Sequence, residues 1–227
     1  SPDHDRSFAQ LSVDHWDKIL SVCQHRMQQL WAMQNTEHVA LFINSGAPAG
    51  ASREHPHMQL VSAPVSAPLI DRMHARLRAH YKTTESCMVC DILRAELDAR
   101  ERIVSEDVAN VTIAPFASRV PFELWTIPRA HRPTFLTVPA DERRRFAAHL
   151  RGVFEGLAHH LGKAPFNAML HSTKPTQIDP GAPFHWYFEI APRLGELAGL
   201  EWGSGAHINP VAPEFAAAAL RKVRSSA

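Results

Sequence analysis

Apolar residues recur at helical spacing in two long stretches of the chain, and strand-like runs follow each of them. Val13, Trp16, Leu20, Cys23, Met27 and Leu30 fall every three or four positions, and so do Phe146, Leu150, Val153 and Leu157. That spacing puts apolar side chains on one face of an α-helix. The runs "HVALFIN" and "FNAMLHS" come next, and then the histidine-bearing runs "HPHMQLVSAP" and "FHWYFEIAP". Their Val, Ile, Phe and Tyr content between polar turns predicts strands. Between the two sets, "APLIDRMHARLRAHYKTT" predicts a helix with Leu69, Met73 and Leu77 on one face, while "ERIVSEDVANVTIAPFA" and "FELWTIP" predict strands. The tail "PEFAAAALRKVRSS" opens on proline and is rich in alanine, which predicts a closing helix.

The order of these elements repeats. Counted from His4 and from His131, both halves have Phe at the fourth position (Phe8, Phe135), an aliphatic residue at the seventh (Leu11, Val138) and Asp at the tenth (Asp14, Asp141). His4 and His55 stand 51 positions apart, His131 and His185 54. Order and interval together predict an α+β protein of two copies of one unit, each an antiparallel sheet with packed helices. The first copy covers residues 1–84 and carries His-Pro-His-Met-Gln; the second covers 85–227 and carries Cys87 and Cys90. The chain opens on Ser-Pro-Asp-His in what reads as the end of a strand, and a first-copy match to the cysteine pair would precede Ser1. The expectation is therefore that the first copy is incomplete and that the start of the natural protein is absent.

Composition narrows the chemistry. With 45% apolar residues, 21% charged and a formal net charge of +1, the 227-residue chain reads as an ordinary globular protein with a real core. It has no bulk electrostatic case for nucleic acid, and its longest apolar runs are strand-sized, so neither nucleic acid nor membrane is expected as a partner. No stretch reads as a secretory leader. Three cysteines, two of them in Cys-x-x-Cys, fit the reducing cytoplasm better than a disulfide framework. Fifteen histidines make metal or phosphoryl chemistry worth seeking.

Cys87-Met-Val-Cys90 puts two thiolates on one tight turn, within reach of one tetrahedral Zn²⁺. By repeat position the two further ligands are His131 and His185, and such a site would staple a loop to the sheet. A redox pair and two incidental buried cysteines remain the competing readings. Cys23, on the apolar face of its helix, reads as core.

In an isolated chain, His55-Pro56-His57 would be a polar turn entering a strand. Three features argue for more. The two histidines are two apart and face one way in extended backbone, Pro56 restricts the chain between them, and Gln59 continues the face. Upstream, Gly46, Ala47, Ala49, Gly50, Ala51 and Ser52 leave backbone N–H groups unobstructed, the kind of concavity that cradles a phosphate, with Asn44 and Ser52 as added donors. Beside it, a neutral His57 can attack phosphorus and split one transfer into two steps. Gln59 hydrogen-bonds but cannot protonate a leaving group. Such a site suits a leaving group that needs no acid, such as a phosphate monoester.

Asn44, Gly50-Ala51-Ser52 and His55-Pro56-His57-Met58-Gln59, in this order, resemble the galactose-1-phosphate uridylyltransferase family of the histidine-triad superfamily. "SPDH", "PFELWTIPRAH" and "GLEWGSGAHINPVAPE" also look like family segments, so the likeness spans essentially the whole chain. The resemblance implies a ping-pong nucleotidyltransferase. His57 would attack the α-phosphorus of a nucleoside-diphosphate sugar such as UDP-glucose, expel the sugar 1-phosphate and pass the nucleotidyl group to a second sugar phosphate. Asn44, Gly50, Ala51, Ser52 and Gln59 would hold phosphates. His4 and His55 would serve a first zinc, with Cys87, Cys90, His131 and His185 as a second, and the active site would form across a homodimer. In the second copy Tyr187 and Glu189 stand where His57 and Gln59 do, so that half reads as structural. Ser204 and Gly205 replace the Tyr-Glu pair with which hexose-specific members grip the sugar, a pattern also found in relatives acting on ADP-glucose. The alternatives are a phosphorylase or adenylyltransferase of ADP-sugars or dinucleoside polyphosphates and, in a different class, a nucleotide-binding remnant without catalysis. His171 reads either as a metal ligand or as a polar residue closing a strand, and Arg193 as either facing a phosphate or lying on the surface. His25, His149, His159, His160 and His207 are expected in solvent, and Trp186 and Trp202 in core or interface.

Overall fold

Ser12 starts the first long helix, its hydroxyl accepting the His15 N–H at 3.2 Å, which satisfies one of the otherwise orphaned amides of the first turn. The helix, α1 (Val13–Trp31), buries Trp16, Leu20, Cys23, Gln24 and Met27 along one face. In the computed structural model, residues 1–174, 183–196 and 198–225 are described. Strand β1 (His38–Ser45) alternates, with Val39, Leu41 and Ile43 buried, and β2 (Gln59–Ala63) returns beside it. Helix α2 (Pro68–Thr84) begins on proline and stops at Glu85 in the left-handed region; α3 (Met88–Ala99) follows at once. Strands β3 (Ile103–Glu106), β4 (Asn110–Ile113) and β5 (Leu124–Pro128) precede α4 (Ala140–Leu161). Then come β6 (Phe166–His171), β7 (Tyr187–Pro192), the short α5 (Gly199–Ser204) and α6 (Pro213–Ser225). The predicted tail helix extends through Ser226, which lies outside the described residues.

Among the described residues the seven strands form one antiparallel sheet in the order β2-β1-β6-β7-β5-β4-β3. The architecture is α+β, and the strands of the two halves join directly through β1 and β6. Phe42 lies opposite Met169 across that junction, Gln59 opposite Phe42, and Glu189 opposite Met169. The register thus relates β1–β2 to β6–β7 by an approximate twofold axis through the Phe42–Met169 pair. Gln59 and Glu189 occupy equivalent places.

Helices α1, α4 and α6 cover one face. Trp16 stacks on Phe154 at 5.2 Å, and Phe146 meets the edges of Trp186 and Phe188. Because strand side chains alternate, the residues between these point to the other face. Those are Phe42, Asn44, Gln59, Asn167, Met169, His171, Tyr187 and Glu189.

Several expectations need correction. Residues 1–7 are irregular rather than the end of a strand, and His55, His57 and His185 precede β2 and β7 rather than lying in them. Leu69 is exposed, because α2 turns only Leu77, with Met73 partly, toward the core. Of the two tryptophans expected in core or interface, Trp186 is in the core, and Trp202 is exposed and so not in the core. His149 is not in solvent. It is buried on the inner face of α4, where its Nδ1 faces Asp107 Oδ2 at 2.7 Å and its Nε2 faces Thr112 Oγ1 at 2.9 Å. The helical pattern carried no sign of these partners, which lie some forty residues away in β4 and the turn before it.

Candidate functional site

The loop leaving β1 is built on two glycines. Gly46 sits at φ 83°, ψ 148°, backbone that essentially only glycine adopts, and a Cβ there would come within 2.8 Å of Pro165 Cβ. A single 3-10 turn, Ala47–Ala49, ends at Gly50 with φ 82°. The loop closes on itself, Gly50 N–H donating to Ala47 O and Ala51 N–H to Gly46 O. Asn44 stands at its entrance, with its Nδ2 beside Gly50.

His55-Pro56-His57 connects this loop to β2. His57 Nδ1 lies 2.8 Å from the carbonyl oxygen of His55. A carbonyl only accepts, so Nδ1 carries the hydrogen, and in the neutral ring the lone pair is on Nε2. Pro56 is buried beneath. His55 turns the other way, its Nε2 donating to Ser1 O at 2.6 Å and its ring lying 4.5 Å from that of His4. Gln59 opens β2 at the equivalent of Glu189.

Cys87 caps α3 and Cys90 lies in its first turn, so the pair expected on a tight turn is presented by a helix start. His131 comes from the loop after β5, His185 from the residues before β7. Ligand atoms of Cys87, Cys90 and His131 all lie within 4.8 Å of one another, a group able to hold a metal ion. Cys90 Sγ is 3.2 Å from His131 Nδ1 and 3.3 Å from His185 Nδ1, close to the roughly 3.6 Å between sulfur and nitrogen on one tetrahedral zinc. The Cys90 thiol and the imidazole of His131 draw the Cys87 thiol down to about 5 against the cost of burial, so it is a thiolate at neutral pH. Burial, aided by His131, pushes His185 down to about 3 and keeps it neutral. A thiolate beside imidazole nitrogens is the donor set that zinc takes. Cys23, by contrast, is pushed up to about 11 by burial and stays an inert thiol.

At the second-half counterpart of the His57–Gln59 region the chemistry differs. His171 Nε2 contacts Glu189 Oε2 at 2.8 Å and its ring stacks on Tyr187 at 4.4 Å. Arg119 is paired with both Glu189 and Glu123, and Trp125 Nε1 donates to Glu123. Burial, with Glu189 nearby, raises Tyr187, leaving a neutral phenol. These charges satisfy one another. Arg119 and Glu123 had no distinguishing spacing in the sequence, and neither did Asn167, which bonds to Asn44 across the halves.

The chain matches the family described as "Domain of unknown function (DUF4921)" over residues 2–224. It is 29% identical over 224 residues to ADP-glucose phosphorylase from Arabidopsis thaliana, covering 98% of this chain and 62% of that protein. It is 28% identical over 227 residues to galactose-1-phosphate uridylyltransferase from Thermotoga maritima, covering 97% and 71%. A crystal structure of the Arabidopsis phosphorylase with bound ADP-glucose superposes with a TM-score of 0.90 at 28% identity, over 98% of this chain and 71% of that one. The chain thus spans less than two thirds of the length of the first of these relatives. With the glycine loop, the histidine pair and the cysteine–histidine group in place, it belongs to the DUF4921 family and, with that, to the galactose-1-phosphate uridylyltransferase family.

Proposed function

We propose that the protein is a nucleotidyltransferase acting on nucleoside-diphosphate sugars, of the UDP-glucose–hexose-1-phosphate uridylyltransferase type, through a covalent nucleotidyl group on His57. The observation that carries this is the contact of His57 Nδ1 with the His55 carbonyl at 2.8 Å. It leaves Nε2 as the nucleophile and gives the imidazolium formed on attack an acceptor for its other proton. In the first half-reaction a bond forms from Nε2 to the α-phosphorus, and the bond from that phosphorus to the bridging oxygen breaks. The leaving sugar 1-phosphate is a stable anion that needs no proton, consistent with Gln59 rather than an acid beside the nucleophile. In the second half-reaction a phosphate oxygen of the acceptor attacks the same phosphorus and restores His57. The side chains of Asn44, Ser52 and Gln59 hold the phosphates, while Gly50 and Ala51, expected to offer free N–H groups, spend them on Ala47 and Gly46 and shape the loop instead.

A second reading, phosphorolysis of an ADP-sugar with inorganic phosphate as acceptor, is favoured by the relative crystallised with ADP-glucose. It uses the same first half-reaction. Zinc would be held by Cys87, Cys90, His131 and His185, and a further ion by His4 and His55, which the 4.5 Å approach of their rings supports. Both ions act as staples, with no step of the transfer on them. The reading takes the protein as a cytoplasmic homodimer. Among the described residues no helix is long and apolar enough to cross a membrane.

The test is peptide mass spectrometry after brief incubation with UDP-glucose and, separately, with ADP-glucose. The expected result is an acid-labile nucleotidyl adduct on the His57 peptide, absent from His57→Ala, whose mass names the base. Absence of an adduct with both substrates overturns covalent transfer by this chain.

A further inference from the structure

Asn167 lies in β6 directly opposite Asn44 of β1. Its Nδ2 donates to Asn44 Oδ1 at 2.9 Å and to the carbonyl oxygen of Ala49, inside the glycine loop, at 2.8 Å. The Ala49 carbonyl can only accept, so the Asn167 atom facing it must be the amide nitrogen. That nitrogen, donating its second hydrogen, requires an acceptor from Asn44. Asn44 therefore turns Oδ1 toward Asn167 and Nδ2 toward Gly50, where a Cβ would be 3.8 Å away. Among the described residues Asn44 Nδ2 has no protein acceptor. One backbone carbonyl thus sets the polarity of two side-chain amides in series and leaves a donor at the mouth of the loop.

We propose that Asn167, contributed by the second half of the chain, is a positioning residue for the first half's phosphate cradle. It fixes Asn44 as a hydrogen-bond donor toward phosphate oxygen and ties the 3-10 turn to the sheet. Without it the Asn44 amide can rotate, presenting an oxygen to the anion half the time and losing orientation before each transfer. The kinetic part of this proposal rests on the nucleotidyl-transfer reading; the orientation of Asn44 does not.

Two measurements test it. Single-turnover labelling of His57 by a sugar nucleotide should slow by about tenfold in Asn167→Ala, the worth of one oriented hydrogen bond. Asn167→Ser, which can still donate, should recover part of the loss. In an Asn44→Ala background the further change Asn167→Ala should cost much less, because only its bond to the Ala49 carbonyl is left to lose. Additive losses would mean a general structural role and overturn the proposal. Independently of activity, Asn167→Asp removes the donor and supplies an acceptor, so Asn44 should invert. Its side-chain NH₂ resonances in a ¹⁵N-labelled sample should move to a new, bonded position, while distant amides such as those of Asn110 and Asn209 stay. Unmoved Asn44 resonances overturn the proposal whether or not the protein is labelled. Failure of the wild-type protein to label, with Asn44 inverting as stated, removes the transfer reading and leaves the positioning intact.

Discussion

At the scale of single residues, the two glycines of the loop after β1 differ in what a methyl group would meet. At Gly50 it would make an ordinary contact, 3.8 Å from Asn44 Nδ2, so Gly50→Ala bears only the left-handed backbone at φ 82°. That costs about 1 to 2 kcal/mol. At Gly46 the methyl would meet Pro165 at 2.8 Å from Cβ and 3.2 Å from Cα. Neither atom can swing aside, and the backbone there suits glycine alone. We expect Gly46→Ala to lose about 3 kcal/mol or more in urea denaturation, against about 1 to 2 kcal/mol for Gly50→Ala. Equal losses would mean that Pro165 yields and that close approach does not shape the loop. Both glycines were legible as part of a loop of small residues. Which of them bears the closer constraint was not, because Pro165 arrives from the other half of the chain.

At the scale of elements, α1 is docked by a polar residue on its apolar side. Gln24 is buried, and its Nε2 donates to the carbonyls of Phe135 and Val138, both at 2.9 Å, while its Oε1 accepts from Arg143 Nη1 at 3.1 Å. Those carbonyls belong to the turn that leads into α4, so one side chain joins the helix of the first half to that of the second. Gln24→Ala should cost about 2 to 3 kcal/mol of unfolding free energy, because buried carbonyls are left without a donor. Gln24→Glu should cost at least as much. A loss below about 0.5 kcal/mol would show that water reaches the turn. The helix itself was plain from the spacing of Trp16, Leu20, Cys23 and Met27. Gln24 was not, since a glutamine between apolar positions resembles any residue at the edge of a stripe.

At the scale of the whole molecule, the cysteine–histidine group ties the start of α3 to the loop after β5 and the entry to β7. Metal bound only in the folded state stabilises it by its binding free energy. Chelation should therefore lower the melting temperature by about 10 °C. The metal-free protein should also weaken in acid. His185 is depressed from 6.5 to about 3, so below about pH 6.5 the unfolded chain takes up a proton that the native state refuses, and stability falls as pH falls. Calorimetry with and without chelator, across pH 5 to 8, measures both effects. A melting temperature indifferent to chelator in protein purified with zinc present would remove the staple.

The sequence by itself determined the order of helices and strands, the twofold repetition, the histidine motif beside the glycine loop and the cysteine pair. All of these rest on spacing within some twenty residues or on repeated intervals. Only the tertiary structure decided that the two halves share one sheet through β1 and β6, because antiparallel register is set by partners more than a hundred residues apart. The same junction brings Asn167 onto Asn44 and Pro165 onto Gly46, and the pairing of β5 with β7 brings Arg119 near Glu189. Hydrogen bonds and close contacts of this kind depend on where strands meet in space, and local pattern is silent on that.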